Sequence, residues 1–298
     1  MKIKFCFFLF LLLPLIYSCS DQQQNALANN NEVVTVATFN IQWLGDGKRD
    51  AHKRKSSDYK RIAKIIRESE ADIVALQEIE NGAAIDIILR YLSGYKYFIA
   101  DCTGAQNVAV LYDSIVSVKL KRIYTPLQLG HTRYRPGLEI EVKAGNFDFV
   151  AMIVHLKASS NFERNRIKKT ESIANRTLQN VLLSNWLDSS LAASKEKDYI
   201  ILGDFNDSPS NDESDAFEPL LRNKHIRILT EDLKSSGKFS GKNVIDHIVV
   251  STSAFKRCNI ASLMLFDISK QYTDKQLANI SDHAPVLVQF DIKAPDKD

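Results

Sequence analysis

Cysteine is scarce in this chain. Of four, Cys6 and Cys19 fall at the N-terminus and only Cys102 and Cys258 remain for everything after it. A fold stapled by disulfides is thereby excluded, and at most one pair could form in an oxidising compartment. An excess of one charge is lacking as well. The formal net charge is +3, and removal of Lys2 and Lys4 with an N-terminal segment takes it to +1, so global electrostatics selects no partner. Beyond residue 32 no second polar linker and no internal repeat interrupts the chain, which excludes a string of domains and a solenoid. The long apolar run, Phe5 to Tyr17, is too short for a permanent transmembrane helix.

What that run does offer is an export signal. Two lysines precede it, and it ends in Ile16-Tyr17-Ser18-Cys19, which resembles a bacterial lipobox, whose cysteine is acylated and becomes the first residue of the mature protein. Tyr17 is bulky for that motif; ordinary cleavage after Ser18 is the other reading, and both lead to export. Residues 20–32 hold almost nothing that could be buried, so they cannot offset the entropy of ordering and form a tether. The expected organisation is a signal peptide at 1–18, a lipidated tether at 19–32 anchored to the membrane through Cys19, one domain at 33–293 and a tail at 294–298. The expected place is the bacterial cell envelope, or a secreted or periplasmic one without the lipid.

Short apolar runs rich in branched residues predict strands at Val33 to Ile41, Ala71 to Ile79, Val108 to Tyr112, Tyr199 to Leu202, Val244 to Val250 and Pro285 to Ile292. Gly137 to Lys143 and Asn146 to His155 flank Gly145-Asn146 and read as one antiparallel hairpin. Helical stripes run through Tyr59, Ile62 and Ile66, through Ile85, Ile88, Leu89 and Leu92, and through Ile167, Ala174, Leu178, Leu182 and Trp186. Hairpins interrupted by amphipathic helices predict stacked sheets with helices on their outer faces.

Several of these strands run directly into a carboxylate, amide or imidazole, where a rigid element can hold the group at a sheet's rim. The places are Thr38-Phe39-Asn40-Ile41, Leu76-Gln77-Glu78, Val154-His155-Leu156, Gly203-Asp204-Phe205-Asn206, Ile245-Asp246-His247 and Ser281-Asp282-His283. One such tetrapeptide is weak evidence; six in this order resemble the endonuclease/exonuclease/phosphatase superfamily, which includes pancreatic deoxyribonuclease, abasic-site repair endonucleases, neutral sphingomyelinases and inositol polyphosphate phosphatases. The resemblance implies an α+β fold, a four-layer α/β/β/α sandwich with two mainly antiparallel sheets. It also implies phosphoester hydrolysis, which builds charge on oxygens and needs a hard cation, an activated water and a proton donor.

By that resemblance Glu78 is the principal metal ligand, with Asn40 and Asp282 near the same metal or a second one. Mg2+ is the expected cofactor, with Mn2+ or Ca2+ as substitutes. Asp246 pairs with His283 as the base dyad, His155 meets the phosphate or the leaving alkoxide, Asp204 and Asn206 orient water and phosphate, and Arg135 approaches the phosphate. In pancreatic deoxyribonuclease the leaving-group histidine has an acidic partner of its own, and the stretch Ala100 to Asn107 assigns none here.

Asp207 reads equally as a turn former and as an extra site acid, while His247 adjoins Asp246 and so points to the other side of its strand. His52, His131 and His225 have no motif around them. The functional expectation is an endonuclease on DNA or RNA, with basic segments around Lys53 and Lys168 gripping the polyanion. A sphingomyelinase-like or inositol phosphate phosphatase-like hydrolase is the alternative, against which stands the absence of an aromatic cluster that could touch a membrane. A non-catalytic surface binding protein would be expected to have lost ligands, and none is lost.

Overall fold

The computed structural model describes residues 32–102, 104, 106–159, 166–234, 239 and 243–298. The signal peptide, the tether up to residue 31, Cys19 and the middle of the loop from Ala158 to Arg166 lie outside them. The described residues begin with β1 (Val33–Leu44), α1 (Ser56–Glu68), β2 (Ile73–Ile79), α2 (Gly82–Leu89), β3 (Tyr95–Ile99), β4 (Asn107–Asp113), β5 (Ser117–Tyr124), β6 (Gly137–Ala144) and β7 (Phe147–His155). They continue with α3 (Arg166–Ala193), β8 (Tyr199–Asp204), α4 (Glu218–Leu221), β9 (Ile226–Ile228), β10 (Asp246–Ser251), β11 (Cys258–Leu265), α5 (Asp274–Leu277) and β12 (Val286–Asp291).

Period-two alternation sorts these strands into two six-stranded sheets, ordered β11, β12, β1, β2, β4, β3 and β5, β6, β7, β8, β10, β9. Val34, Val36, Ile73, Val108 and Val288 of the first face Ile140, Phe149, Ile153, Leu202 and Ile248 of the second in one buried cluster. The opposite parity of the first sheet, Ala37, Phe39, Val74 and Leu76, packs on Ile62, Ile66, Ile85 and Ile88 of α1 and α2. Val150, Met152, Ile201 and Val249 of the second pack on Leu183, Trp186 and Leu187 of α3. The expected helix, sheet, sheet, helix layering is therefore present.

The apolar runs found the inner strands, and the hairpin turns at Gly145 (φ 58°), where β6 pairs β7 from Leu138–Ile153 to Ala144–Phe147. The stripe on α3 needs correction. Ile167 and Leu178 are 73% and 53% exposed, and the buried face of the helix's first half is polar: Ser172, Arg176, Gln179 and Asn180. It packs on loops rather than on the sheet: Gln179 donates to Leu127 O (2.8 Å), and Asn180 to Ala216 O (2.8 Å). Cys102 and Cys258 are both free. Residues after 293 turn back on the domain, where Arg257 donates to Ala294 O (2.9 Å) and pairs with Asp296 (3.3 Å).

Two pairs of neighbouring strands are parallel, β1 with β2 and β7 with β8; every other pair is antiparallel. The C-terminal ends of those four strands and the N-terminal ends of β10 and β12 consequently share one rim. At that rim β7 and β8 approach closely at Gly203 (φ 148°), where a Cβ would lie 2.0 Å from Val154 O. The loop that follows is anchored by Asp207, which forms a buried ion pair with Arg176 of α3 (3.0 Å) and accepts from Asn211 (2.7 Å) and Ser214 (2.5 Å). This resolves Asp207 as a loop anchor. His247 sits on the opposite side of β10 from Asp246, as alternation demands, between Thr230 Oγ1 (2.7 Å) and Asp207 O (3.0 Å).

Gly203→Ala is expected to lower stability by about 3 kcal/mol or more, because neither backbone can give way; urea denaturation would show a full-strength midpoint if the approach were relaxed. For His247, burial holds the imidazole down at about 4, against roughly 6.5 in an unfolded chain. The folded state favours the neutral ring, so this contribution is complete above the unfolded value and is lost as pH falls from about 6.5 towards 4, a swing of about 3 kcal/mol. Urea midpoints across that window should fall more steeply for the wild type than for His247→Gln, and parallel profiles would remove this role.

Candidate active site

Alternation carries four polar side chains into the space between the sheets. Asn40 continues the inward series of Val34 and Val36, His155 that of Ala151 and Ile153, Asp204 that of Ile200 and Leu202, and Asp246 that of Ile248 and Val250. Register then aligns them, since His155 pairs with Asp204 and Asp246 with Asp204 across adjacent strands. Glu78 has the wrong parity: Leu76 faces the helices and Gln77 faces inward. A bulge corrects it. Glu78 adopts φ 63°, and the pairing of β2 slips against both neighbours at this point, so its carboxylate reaches the rim.

The result is one connected network. Asn40 Nδ2 donates to Asp204 Oδ2 (2.9 Å) and Glu78 Oε1 (3.4 Å). His155 Nε2 lies 3.6 Å from Asp204 Oδ2 and 4.0 Å from Glu78 Oε1. Asp204, Asp246 and His283 each bring one potential ligand atom within 4.8 Å of the others. Asn206, itself at φ 54°, gives its backbone N–H to Asp204 Oδ1 (2.8 Å) and its side-chain amide to Leu156 O (3.3 Å). His283 Nδ1 meets Asp246 Oδ2 at 2.7 Å, and its Nε2 is 3.9 Å from Asp282 Oδ1. Asn40, Glu78, His155, Asp204, Asn206, Asp246, Asp282 and His283 thus converge, with Asp282 at the wet edge, its side chain 63% exposed.

Burial and the neighbouring Asp246 push the Asp204 carboxyl up to about 7. Burial opposes a charge on His283 too, but Asp246 and its hydrogen bond, then Asp204 and Asp282, lift the imidazole to about 10. His155 goes the other way: burial, reinforced by Arg135 and His283, holds it well below the ordinary range. Its Nδ1 is buried with no hydrogen-bond partner, so the acidic partner that the sequence failed to supply is missing among the described residues. Asp246 Oδ1 is likewise buried without a partner.

Arg135 is buried and donates to His155 O (3.2 Å) and Leu156 O (2.7 Å), while its charge is felt by Asp204 and Glu78. The structure therefore places it as a brace behind β7. Two residues that fasten the site were given no role by the sequence: Arg54 lies among basic neighbours, and Ser281 opens a motif read for Asp282 and His283. Arg54, read from sequence as part of a basic segment, turns inward and donates to Ile41 O (2.8 Å), Gln42 O (2.7 Å), Trp43 O (2.8 Å), Asn279 O (2.9 Å) and Ile280 O (3.0 Å). The hydroxyl of Ser281 donates to Asn40 O (2.7 Å) and accepts from the His283 N–H (2.9 Å).

No curated protein matches this chain in sequence. Among solved structures it is similar to TDP2 from C. elegans, at 17% identity over 92% of this chain and 80% of that one, with a TM-score of 0.60. D. rerio TDP2 complexed with a single-strand DNA product is similar at 15% identity, 88% and 100% coverage and a TM-score of 0.59. A mannosyl-6-phosphatase from Bacteroides thetaiotaomicron follows at 18% identity, 86% and 98% coverage and a TM-score of 0.55. At such identities these likenesses establish the fold. A family model spans residues 37–283, from β1 to His283, and the chain accordingly belongs to the Endonuclease/Exonuclease/phosphatase family of phosphoric ester hydrolases.

Proposed function

We propose that this chain is a Mg2+-dependent phosphodiesterase that acts as an endonuclease on DNA, with RNA as a further substrate. The observation that carries the reading is the joining of an oxygen-rich cluster to a buried Asp246–His283 pair at one rim. The donor set suits a hard cation, because it is rich in carboxylates, Asp204, Asp246 and His283 stand at ligand spacing, and Asp246 Oδ1 lies buried without a partner. Asn40 turns its Nδ2 to Asp204 and Glu78, and its Oδ1 accepts from the Gln42 N–H with one lone pair to spare. Glu78, Asn40 and Asp282 would hold the ion, which supplies Lewis-acid stabilisation of charge building on the phosphate.

The chain's own residues divide the remaining work. Asp246 occupies His283 Nδ1, fixing the tautomer and leaving Nε2 to face the pocket; the surrounding carboxylates favour a charged ring, and a cation held beside them would oppose that charge and free Nε2 to take a proton from water. Asp204, with Asn206 fastened to its other oxygen, orients that water and the phosphate. His155 presents Nε2 beside Asp204 and Glu78, where it contacts a phosphate oxygen or passes a proton to the departing alkoxide. Arg135, held by two carbonyls, adds positive charge behind the phosphate.

A polyanionic substrate is supported by exposed Arg49, Lys53 and Lys168, while Lys169 is paired with Glu213 (2.5 Å). Lys169 lines a cavity of about 360 Å³ together with Asn206, Asn211 and Asn243, beside the site. The remainder of the basic run is less available: Lys48 pairs with Asp46 (3.0 Å) and Arg61 with Asp58 (2.7 Å). The DNA held by the D. rerio TDP2 structure accords with this reading of the substrate.

Purified protein with Mg2+ should nick supercoiled plasmid, and a chelator should abolish the nicking. Intact plasmid, linear DNA and RNA beside hydrolysis of a sugar phosphate, an inositol phosphate or sphingomyelin would replace the nuclease with that alternative. Asp204→Asn and His283→Ala should each lower kcat by about 10²–10⁴-fold. Thermal melting of Asp204→Asn should stay close to the wild type, since relief of a buried carboxyl pushed against Asp246 is offset by loss of one of the two hydrogen bonds it accepts from Asn40 and Asn206. Undiminished turnover in both variants would require a different chemistry.

A further inference from the structure

Trp43 combines a fastened backbone with an unsupported ring. Gln42 and Trp43 follow one another in the left-handed region, at φ 42° and 56°, which is unusual for bulky side chains and persists only where neighbours impose it. They do: Gln42 N–H donates to Asn40 Oδ1 (2.9 Å), Trp43 N–H donates to Glu78 Oε2 (3.0 Å), and Arg54 holds the carbonyl of Trp43 (2.8 Å). The indole itself is 38% exposed and has no ring partner among the described residues. Trp186 shows the contrast, being 3% exposed, with Nε1 donating to Glu139 (3.2 Å) and its ring edge-on to Tyr199 (5.6 Å). Two catalytic side chains, Asn40 and Glu78, are thus hydrogen-bonded to the very segment that presents a large wet aromatic.

We infer that Trp43 is a specificity-determining residue, the platform on which a nucleobase next to the scissile phosphate stacks. The inference rests on the nuclease reading and deepens it. Every base offers a π face, so stacking on indole tolerates any sequence, and a backbone already clamped loses little freedom on binding. An inositol or a bare phosphate monoester has no such face to offer. Because the Trp43 amide is bonded to Glu78, the residue that carries the ring is fastened directly to a residue of the site.

The chain has two tryptophans, and since Trp186 is buried, a ligand at the rim reports through the emission of Trp43. Full-length protein in chelator would be titrated with a short single-stranded oligodeoxynucleotide and with an oligomer of equal length built from abasic units. Quenching by the first and not the second is expected, with none for Trp43→Phe. With Mg2+, the wild type should prefer the base-bearing oligomer by about 5- to 100-fold in kcat/KM; Trp43→Ala should bring that ratio towards one, and Trp43→Phe should keep most of it. Equal quenching by both oligomers, or a preference that survives in Trp43→Ala while plasmid is still nicked, overturns the platform and leaves the nuclease standing. Failure of the wild type to bind or cut any nucleic acid removes the nuclease, and the platform with it.

Discussion

The hydrogen bond from Asn40 Nδ2 to Asp204 Oδ2, 2.9 Å long and buried, joins the two sheets at their rim. Each residue stands at the end of an inward-facing series that is apolar apart from Thr38, itself bonded to Gln77, so each would be a buried polar group without a partner if the sheets met differently. The sheets need this contact, and the contact needs both sheets in register. Around it the remaining groups find their places. Glu78 reaches the same amide through its bulge, His155 approaches the same carboxylate, and Asn206 donates to that carboxylate's other oxygen. Structural satisfaction and chemical assembly are here the same set of atoms.

Such an arrangement concentrates negative charge where water is scarce. Asp204 sits beside Asp246, with Glu78 across Asn40, and the positive charges set against them are His283, the braced Arg135 and Arg54, whose charge reaches Glu78. A pocket of this kind is destabilised by its own carboxylates and is relieved by any cation that enters. Four left-handed residues, Gln42, Trp43, Glu78 and Asn206, stand at the same rim. Both features fit a general pattern in which folding energy is given up locally to hold reactive groups in place.

The interior of this fold was readable from sequence because inner strands are apolar on both faces. The strands that escaped notice, β3, β5, β9 and β11, are the four edges of the two sheets. Edge strands carry polar and charged positions such as Lys119, Lys121 and Arg122, which blur the apolar pattern. On α3 the apolar stripe points outward at Ile167 and Leu178 and inward at Trp186, because the first half of the helix packs on polar loops and only the second half on a sheet. The site residues were legible as motifs at strand ends, and their parity explains why; Glu78 was legible as a motif but not as geometry, since the backbone conformation that turns it inward leaves no mark in composition. Arg54 was misleading, as a guanidinium among basic neighbours looks like a surface charge until its five carbonyl acceptors are seen. Asp207 could be assigned only once Arg176, distant in sequence, stood against it.

Closure of the pocket by the segment from Asn279 to His283 has a temporal meaning. Ser281 bonds to the carbonyl of Asn40, and Arg54 grips Asn279 and Ile280 together with the end of β1, across more than two hundred residues. A nascent chain that has emerged only as far as β10 possesses five of the six motifs yet lacks the imidazole and the lock that seats the first of them. Assembly of the site therefore waits for the last strand, so a chain still being made holds its other five motifs apart from the group that completes them.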